Sequence, residues 1–450
     1  MLTLAECDVR YFAELRAREF SRLDEHGLAY LDYTGTALYG TSQIRVHHQL
    51  LERGLFGNPH SEHNASIAST EAIEHAREGV LDFFNVTSTT HALCFTANAT
   101  AAIGLVASGY PFSYRHRLVL SADNHNSVNG IREYATRAGA RVEYLALDRE
   151  LRLDDPSAGL RKVAADGCPG LFAFPAQSNF SGIRHPLSLV QDAKQLGFDV
   201  LLDAASFAAT APLDLRACPA DFTVVSFYKL FGFPTGLGAL VATRESLSRL
   251  RRPWFAGGTV TYASVALAQH ELRASHEAFE DGTPNFLGIA ALEPGFNLLV
   301  DAGRERTARH VAELTGALLA GLSALRHRNG EAVVDIYGPL SLHDRGPAVA
   351  CNVFDSARRP VPFQIVEGRA REAGIAVRGG CFCNPGASEA AFGYSEETLR
   401  RCITPGFTVE RFATCVGTDR PVGAVRLSPG LATSRSDIER AIDLIASFAE

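Results

Sequence analysis

Short apolar runs alternate with amphipathic stretches over the first 245 residues or so. Arg117–Leu120, Val142–Leu147, Gly170–Phe174, Val200–Asp203, Phe222–Ser226 and Gly238–Ala242 read as short buried strands. Thr70–Phe84 places Ile73, Ala76, Val80 and Leu81 among charges at helical spacing, and Ala101–Ala107 continues a second helix behind the loop Thr96-Ala97-Asn98-Ala99-Thr100. Strands separated by helices predict a mostly parallel sheet covered on both faces. Phe286–Leu325 is more helical, with Glu293-Pro294-Gly295 as the start of a long connecting helix. Strand-like runs at Val333–Ile336, Ala348–Phe354 and Ala424–Leu427, with helices at Phe363–Ala373 and Ser436–Ala449, predict a smaller α+β domain. The expected organisation is an N-terminal arm over residues 1–29 packed with the small domain, a large domain over 30–295 and a small domain over 296–450.

Composition narrows the function. The 450 residues are 46% hydrophobic and 21% charged, which excludes disorder as the main state. A net charge of −7 argues against a general binder of nucleic acid or anionic membrane. No stretch approaches the ~20 apolar residues of a membrane helix. Met1–Arg22 carries charges throughout, so a soluble, cytoplasmic protein is expected. Nine unevenly spaced cysteines fit reduced thiols better than a disulfide scaffold. Only Lys162, Lys194 and Lys229 are available to chemistry that requires a side-chain amine.

Lys229 follows an apolar strand, sits among aromatics and precedes a glycine-rich turn. Lost hydration there favours the neutral amine that forms a Schiff base, although a lone lysine at a strand end also snorkels to solvent. Asp203 closes an apolar strand, the edge of a parallel sheet at which ligands bind, and could equally cap a helix. Paired with the lysine one strand later, it outlines the polar frame of a pyridoxal phosphate site. The helix start after Thr96–Thr100 offers amides and the Thr100 hydroxyl as a phosphate cradle, or simply packs small residues. His125, after the strand Leu118–Ser121, could stack on a flat cofactor or be a satisfied surface group.

These residues sit in strings that resemble a known family. They are Tyr30-Leu-Asp-Tyr-Thr-Gly, Gly57-Asn-Pro-His-Ser61, Asn124-His-Asn-Ser127, Phe174-Pro-Ala-Gln-Ser-Asn-Phe-Ser-Gly182 and Leu202-Asp-Ala-Ala-Ser-Phe207. Ser226-Phe-Tyr-Lys-Leu-Phe-Gly-Phe-Pro-Thr-Gly-Leu-Gly238, Gly282-Thr-Pro-Asn285 and Gly380-Cys-Phe-Cys-Asn-Pro-Gly386 complete the set. The chain resembles the class V, fold-type-I pyridoxal phosphate enzymes of the cysteine desulfurase group, and within them the N-terminal desulfurase domain of molybdenum cofactor sulfurases. The resemblance implies a large domain with a seven-stranded, mostly parallel sheet and a smaller α+β C-terminal domain. It implies that Lys229 holds the cofactor as a Schiff base, Asp203 bonds the pyridine nitrogen and His125 stacks on the ring. Thr100, Ser226 and Tyr228, with the Ala99 backbone, would hold the phosphate. Asn179 and Ser206 would lie near the phenolic oxygen, where many relatives have glutamine in place of Ser206. Thr283 would reach the phosphate of a neighbouring subunit, which implies a homodimer with shared sites.

In the same family the cysteine five positions after an arginine accepts sulfur and that arginine grips the substrate carboxylate, here Cys383 and Arg378. A planar guanidinium suits a bidentate carboxylate, and positive charge stabilises a thiolate whose ordinary pKa is about 8.5. Without companion cysteine or histidine clusters in sequence, Cys381-Phe-Cys383 is not expected to bind metal. Cys381 reads as either a relay or a spare thiol. Cys7, Cys94, Cys168, Cys218, Cys351, Cys402 and Cys415 read as structural. Ser388 departs from the family, which commonly has a further cysteine there. The sulfurases' molybdopterin-binding C-terminal domain is not expected in this chain, so the sulfur need not go to molybdenum cofactor unless a separate protein supplies that domain. The expected reaction takes sulfur from L-cysteine, leaves L-alanine and holds a Cys383 persulfide for an acceptor protein. Another class V reaction (C–S β-lyase, selenocysteine lyase, aminotransferase or epimerase) is the alternative.

Overall fold

The computed structural model describes residues 4–165, 167–417 and 419–449. The first strand, β1 (Ala29–Tyr30), belongs to the small domain. The large sheet is built from β2 (His91–Thr96), β3 (His116–Ser121), β4 (Arg141–Leu145), β5 (Cys168–Pro175), β6 (Asp199–Asp203), β7 (Phe222–Ser226) and β8 (Gly238–Thr243). Their spatial order is β2-β8-β7-β6-β5-β3-β4, and only β8 runs against its neighbours. Successive side chains enter opposite cores, as strand geometry dictates. Phe172, Phe174, Val200 and Leu202 pack on one face with Ile73, Val80 and Leu81 of the helix Asn64–Phe83. Leu171, Ala173 and Leu201 pack on the other with Ala102, Ile103 and Val106 of the helix Ala99–Gly109. Two-sided burial explains the uninterrupted apolar runs.

The six parallel strands bring their C-terminal residues to one edge, where Thr96, Pro175, Asp203 and Ser226 lie. Sequence reading had no strand at β2. The helix expected from Thr70 starts at Asn64, where His63 Nδ1 accepts the Ser66 amide at 3.3 Å. Beyond the sheet, β9 (Val260–Ser264) and β10 (Gln269–Leu272) form an exposed antiparallel hairpin.

The small domain carries β11 (Val334–Ile336), β12 (Val349–Val353), β13 (Ile375–Ala376), β14 (Arg378–Gly380) and β15 (Ala424–Leu427). An antiparallel sheet of order β11-β12-β15-β14 packs against the helices Arg304–Ala324, Phe363–Glu372 and Arg435–Ala446. The N-terminal arm joins it. β1 pairs in parallel with β13, and Arg16 donates to Asp437 Oδ2 at 2.6 Å and to the Ala432 carbonyl.

Two expectations need correction. The connecting helix from Glu293 is two helices, Leu292–Ala302 and Arg304–Ala324, bent by 71° at Gly303, whose φ of +78° suits glycine. Phe296 and Leu299 of the first lie in the large core. Cys402 and Cys415, expected as reduced thiols, form a disulfide, because the hairpin of helices Glu396–Cys402 and Val409–Val416 brings their Cα atoms to 5.6 Å. The Cys7 side chain lies outside the described residues. Among the described residues no single helix is long and apolar enough to cross a membrane.

Candidate active site

A cleft opens at the C-terminal edge of the large sheet. Nine residues singled out from sequence line it: Ala99, Thr100, His125, Asn179, Asp203, Ser206, Ser226, Tyr228 and Lys229. Asn98, Ser127 and Gln177 line it as well, and no role was read for them from sequence. Lys229 reaches the cleft because Ser226 ends β7 and the short helix Phe227–Phe231 turns the amine back over the sheet edge. Asp203 ends β6 alongside, and one of its carboxylate oxygens accepts the Ala205 amide at 3.0 Å.

The helix Ala99–Gly109 begins at the cleft wall, with Asn98 Oδ1 accepting the Ala101 amide at 2.9 Å. The remaining amides and positive helix end form an anion site. Gly238 makes the approach feasible: a Cβ there would lie 2.5 Å from the Asn98 carbonyl carbon and 2.7 Å from the Ala99 nitrogen. Ser127 joins the Thr100 hydroxyl (2.8 Å) to His125 Nδ1 (3.1 Å). His125 Nδ1 also accepts the Ser127 amide at 3.1 Å, so the lone proton of the neutral ring sits on Nε2. Burial pushes the imidazole below its ordinary value, with Asp203 opposing and Lys229 reinforcing the fall. A neutral, fixed ring suits stacking.

The small domain supplies the cleft mouth. Phe382 and Cys383 both have left-handed backbone (φ +54° and +56°), a conformation costing of order 1–3 kcal/mol per non-glycine residue that persists only when its surroundings enforce it. Asn179 Nδ2 donates to the Phe382 carbonyl at 2.6 Å, and the Asn126 amide to the Cys383 carbonyl at 2.8 Å. The Phe382 ring packs against Phe180, with the Arg426 guanidinium over its face. Gly386 allows close docking, since a Cβ there would lie 2.1 Å from the Ala122 carbonyl oxygen. The Cys383 side chain is left exposed beside the cleft.

Cys381 differs. It is half-buried, its thiol donates to the Val422 carbonyl at 3.6 Å, and burial raises its pKa. Cys94, Cys218 and Cys351 are buried with raised pKa, and Cys168 is exposed.

Two of the sequence-derived residues lie outside the cleft of their own chain. Arg378 does not line the cleft; its Nε and Nη2 grip Asp32 at 3.0 and 2.7 Å, while fully buried Arg426 shares that carboxylate at 3.0 Å. Arg426 touches the cleft wall through the Asn179 carbonyl at 2.8 Å. Thr283 is exposed and lies outside the cleft of its own chain.

Residues 29–440 match the family described as Aminotransferase class-V. The chain belongs to this family. Within the class V family it is 37% identical over 479 residues to a molybdenum cofactor sulfurase of Arabidopsis thaliana and 36% identical over 457 residues to that of Homo sapiens. Those matches cover 97% and 95% of this chain but 58% and 50% of the relatives, so the chain spans about half their length. A cysteine desulfurase of Thermococcus onnurineus NA1 shares the fold with a TM-score of 0.81 at 24% identity, over 97% of this chain and 98% of the other. The fold is the expected fold-type-I architecture. The cleft fits the pyridoxal phosphate such folds carry: an amine for the aldehyde, a carboxylate for the ring nitrogen, a neutral imidazole for the ring face and a helix N-terminus with hydroxyls for the phosphate.

Proposed function

We propose that this protein is a pyridoxal phosphate-dependent cysteine desulfurase that converts L-cysteine to L-alanine and holds the sulfur as a persulfide on Cys383. One observation carries the reading: the turn bearing the exposed Cys383 is bonded to Asn179 and Asn126, a cleft-wall residue and the neighbour of another, so the thiol stands at the mouth of the Lys229 cleft. When bound, the cofactor supplies an electron-accepting ring that weakens bonds at the substrate Cα and Cβ. Asp203 holds the proton on the ring nitrogen, and the Lys229 amine moves the proton at Cα. His125, fixed by Ser127, covers the ring face and excludes water. The Cys383 thiolate attacks the substrate sulfur. An S–S bond forms, the Cβ–S bond breaks, its electron pair stays on Cβ, and a proton there completes alanine.

The sulfurase relatives support molybdenum cofactor as the destination, reached through a sulfur-accepting protein. A homodimer is part of the reading. Leu55, Trp254, Val265 and Leu267 are exposed apolar residues, and Thr283 is free to serve a neighbour's cleft. The test is to treat the cofactor-loaded protein with L-cysteine, quantify products and map added sulfur by peptide mass. Alanine with sulfur on Cys383 is expected. Lys229→Ala should lose the cofactor's visible band and turnover; Cys383→Ala should keep the band and lose the persulfide. Pyruvate and ammonia, or an undiminished rate in Cys383→Ala, would overturn the reading.

A further inference from the structure

Behind the cleft mouth lies a buried polar chain to which the desulfuration chemistry assigns no role. Asp123 is fully buried at the end of the β3 segment. Its Oδ2 accepts from His185 Nε2 at 2.9 Å, and its Oδ1 accepts from the Ser178 hydroxyl at 2.8 Å and from Asn384 Nδ2 at 2.8 Å. With three donors converging on it, Asp123 acts purely as an acceptor.

That fixes the next group. Asn384, wholly buried, must turn its nitrogen to Asp123, which leaves its Oδ1 to accept the Ala387 amide (3.1 Å) and cap the helix Pro385–Ala391. Asn384 Nδ2 also donates to Asn179 Oδ1 at 3.0 Å. Asn179 is thereby oriented too. With its oxygen occupied by a donor, its Nδ2 faces the Phe382 carbonyl at 2.6 Å. The Asn384 amide itself donates to the Cys381 carbonyl at 3.0 Å, closing the turn from the other side.

We propose that Asn384, oriented by Asp123, is a positioning residue for sulfur transfer: the Asp123–Asn384–Asn179 relay sets the left-handed Phe382–Cys383 turn and so the reach of the Cys383 sulfur into the cleft. The inference rests on the desulfurase reading given above. Its physical content is direction. Each amide in the relay has only one orientation that makes every bond, and reversing one reverses the next.

The direction is testable. Asn384→Asp removes the donor to both Asp123 and Asn179, and Asn179→Asp removes the donor to Phe382. Asn384→Asp should bind pyridoxal phosphate with an unchanged visible band and leave KM for L-cysteine little altered; that expectation does not extend to Asn179→Asp, whose side chain lines the cleft. Both variants should slow single-turnover persulfide formation on Cys383 by about a hundred-fold, the scale of a misplaced reacting atom. The decisive variant is the exchange Asp123→Asn with Asn384→Asp. It restores a complementary pair and should recover the thermal midpoint lost in Asn384→Asp. It also turns the Asn179 oxygen toward the Phe382 carbonyl, so the persulfide rate should stay low. A rate that recovers together with the midpoint would reduce Asn384 to a structural residue and overturn the proposal, as would a wild-type rate in Asn384→Asp.

Amide hydrogen exchange separates this from failure of the desulfurase reading. The Asn126 amide, which bonds the Cys383 carbonyl, should exchange faster in Asn384→Asp and in the exchanged pair than in the wild-type holoenzyme. If the wild-type protein forms no persulfide but exchange responds in this way, the desulfurase reading fails and the turn-setting relay stands. Unaltered exchange in both variants refutes the relay whatever the chemistry.

Discussion

Gly238 shows how much one hydrogen atom in place of a methyl group can decide. Its α-hydrogen faces the backbone that begins the anion-binding helix, and a methyl group would stand 2.5 Å from the Asn98 carbonyl carbon. Backbone yields less readily than a flexible side chain, so Gly238→Ala should displace the helix start and weaken pyridoxal phosphate binding about ten-fold, read by absorbance titration of the apoprotein. The two cysteines of the loop make the opposite point. Cys381 is half-buried, hydrogen-bonded and held as a thiol, whereas Cys383 is exposed. Cys381→Ser should therefore form the Cys383 persulfide within about two-fold of the wild-type rate in a single-turnover assay. Lys229 and Asp203 were legible in sequence because each ends an apolar run, and a parallel sheet puts such ends on one edge. Asp32 was not legible as the partner of Arg378 and Arg426, since they lie 346 and 394 positions further along the chain. Ser127 and Gln177 stood inside the matching strings, but nothing local shows that a serine bridges Thr100 and His125 or that Gln177 donates to the Ser206 carbonyl.

Among the elements, the helix Arg304–Ala324 carries the clearest pH dependence. His310 is buried on it, stacked on Phe12 with ring centroids 3.9 Å apart, and donates from Nε2 to the Thr433 carbonyl at 3.1 Å. Burial pushes its pKa down to about 4. The unfolded chain then binds more protons than the folded one between that value and the ordinary pKa of about 6.5. The contribution is complete above about pH 6.5 and is lost as pH falls toward 4, a loss on the order of 3 kcal/mol. Denaturant midpoints should fall with acidification in this window, and His310→Gln should flatten the dependence. A variant with the wild-type slope would place the effect elsewhere.

The six sequence-derived strands of the large sheet all exist, because two-sided burial demands continuous apolar runs. β2 escaped notice: His91-Ala-Leu-Cys-Phe-Thr carries histidine and threonine at its ends and owes its place to pairing with β8. The break at Gly303 and the Cys402–Cys415 bond were hidden for a related reason, since both depend on where helices pack and not on periodicity.

At the scale of the whole molecule, the proposed dimer makes a sharp prediction. If Thr283 serves the partner's phosphate, Thr283→Ala homodimers should lose cofactor affinity. Mixed dimers of Thr283→Ala with Lys229→Ala should regain one normal cleft, which combines an intact Lys229 with the partner's intact threonine. Light scattering on the wild-type protein should show two copies, and absence of complementation in verified mixed dimers would refute sharing. The division into a large and a small domain was visible in the shift from alternating strands and helices to a helix-rich connection. The break within that connection was not, because the glycine that ends one helix starts the next.

Arg16 and β1 come from the first thirty residues, while their partners Asp437 and β13 come from the last eighty. A nascent chain can therefore assemble the amine-bearing sheet well before the thiol-bearing unit has the pieces it needs. Trimming either terminus damages the same unit: both cuts would uncouple sulfur capture while sparing the vitamin's berth.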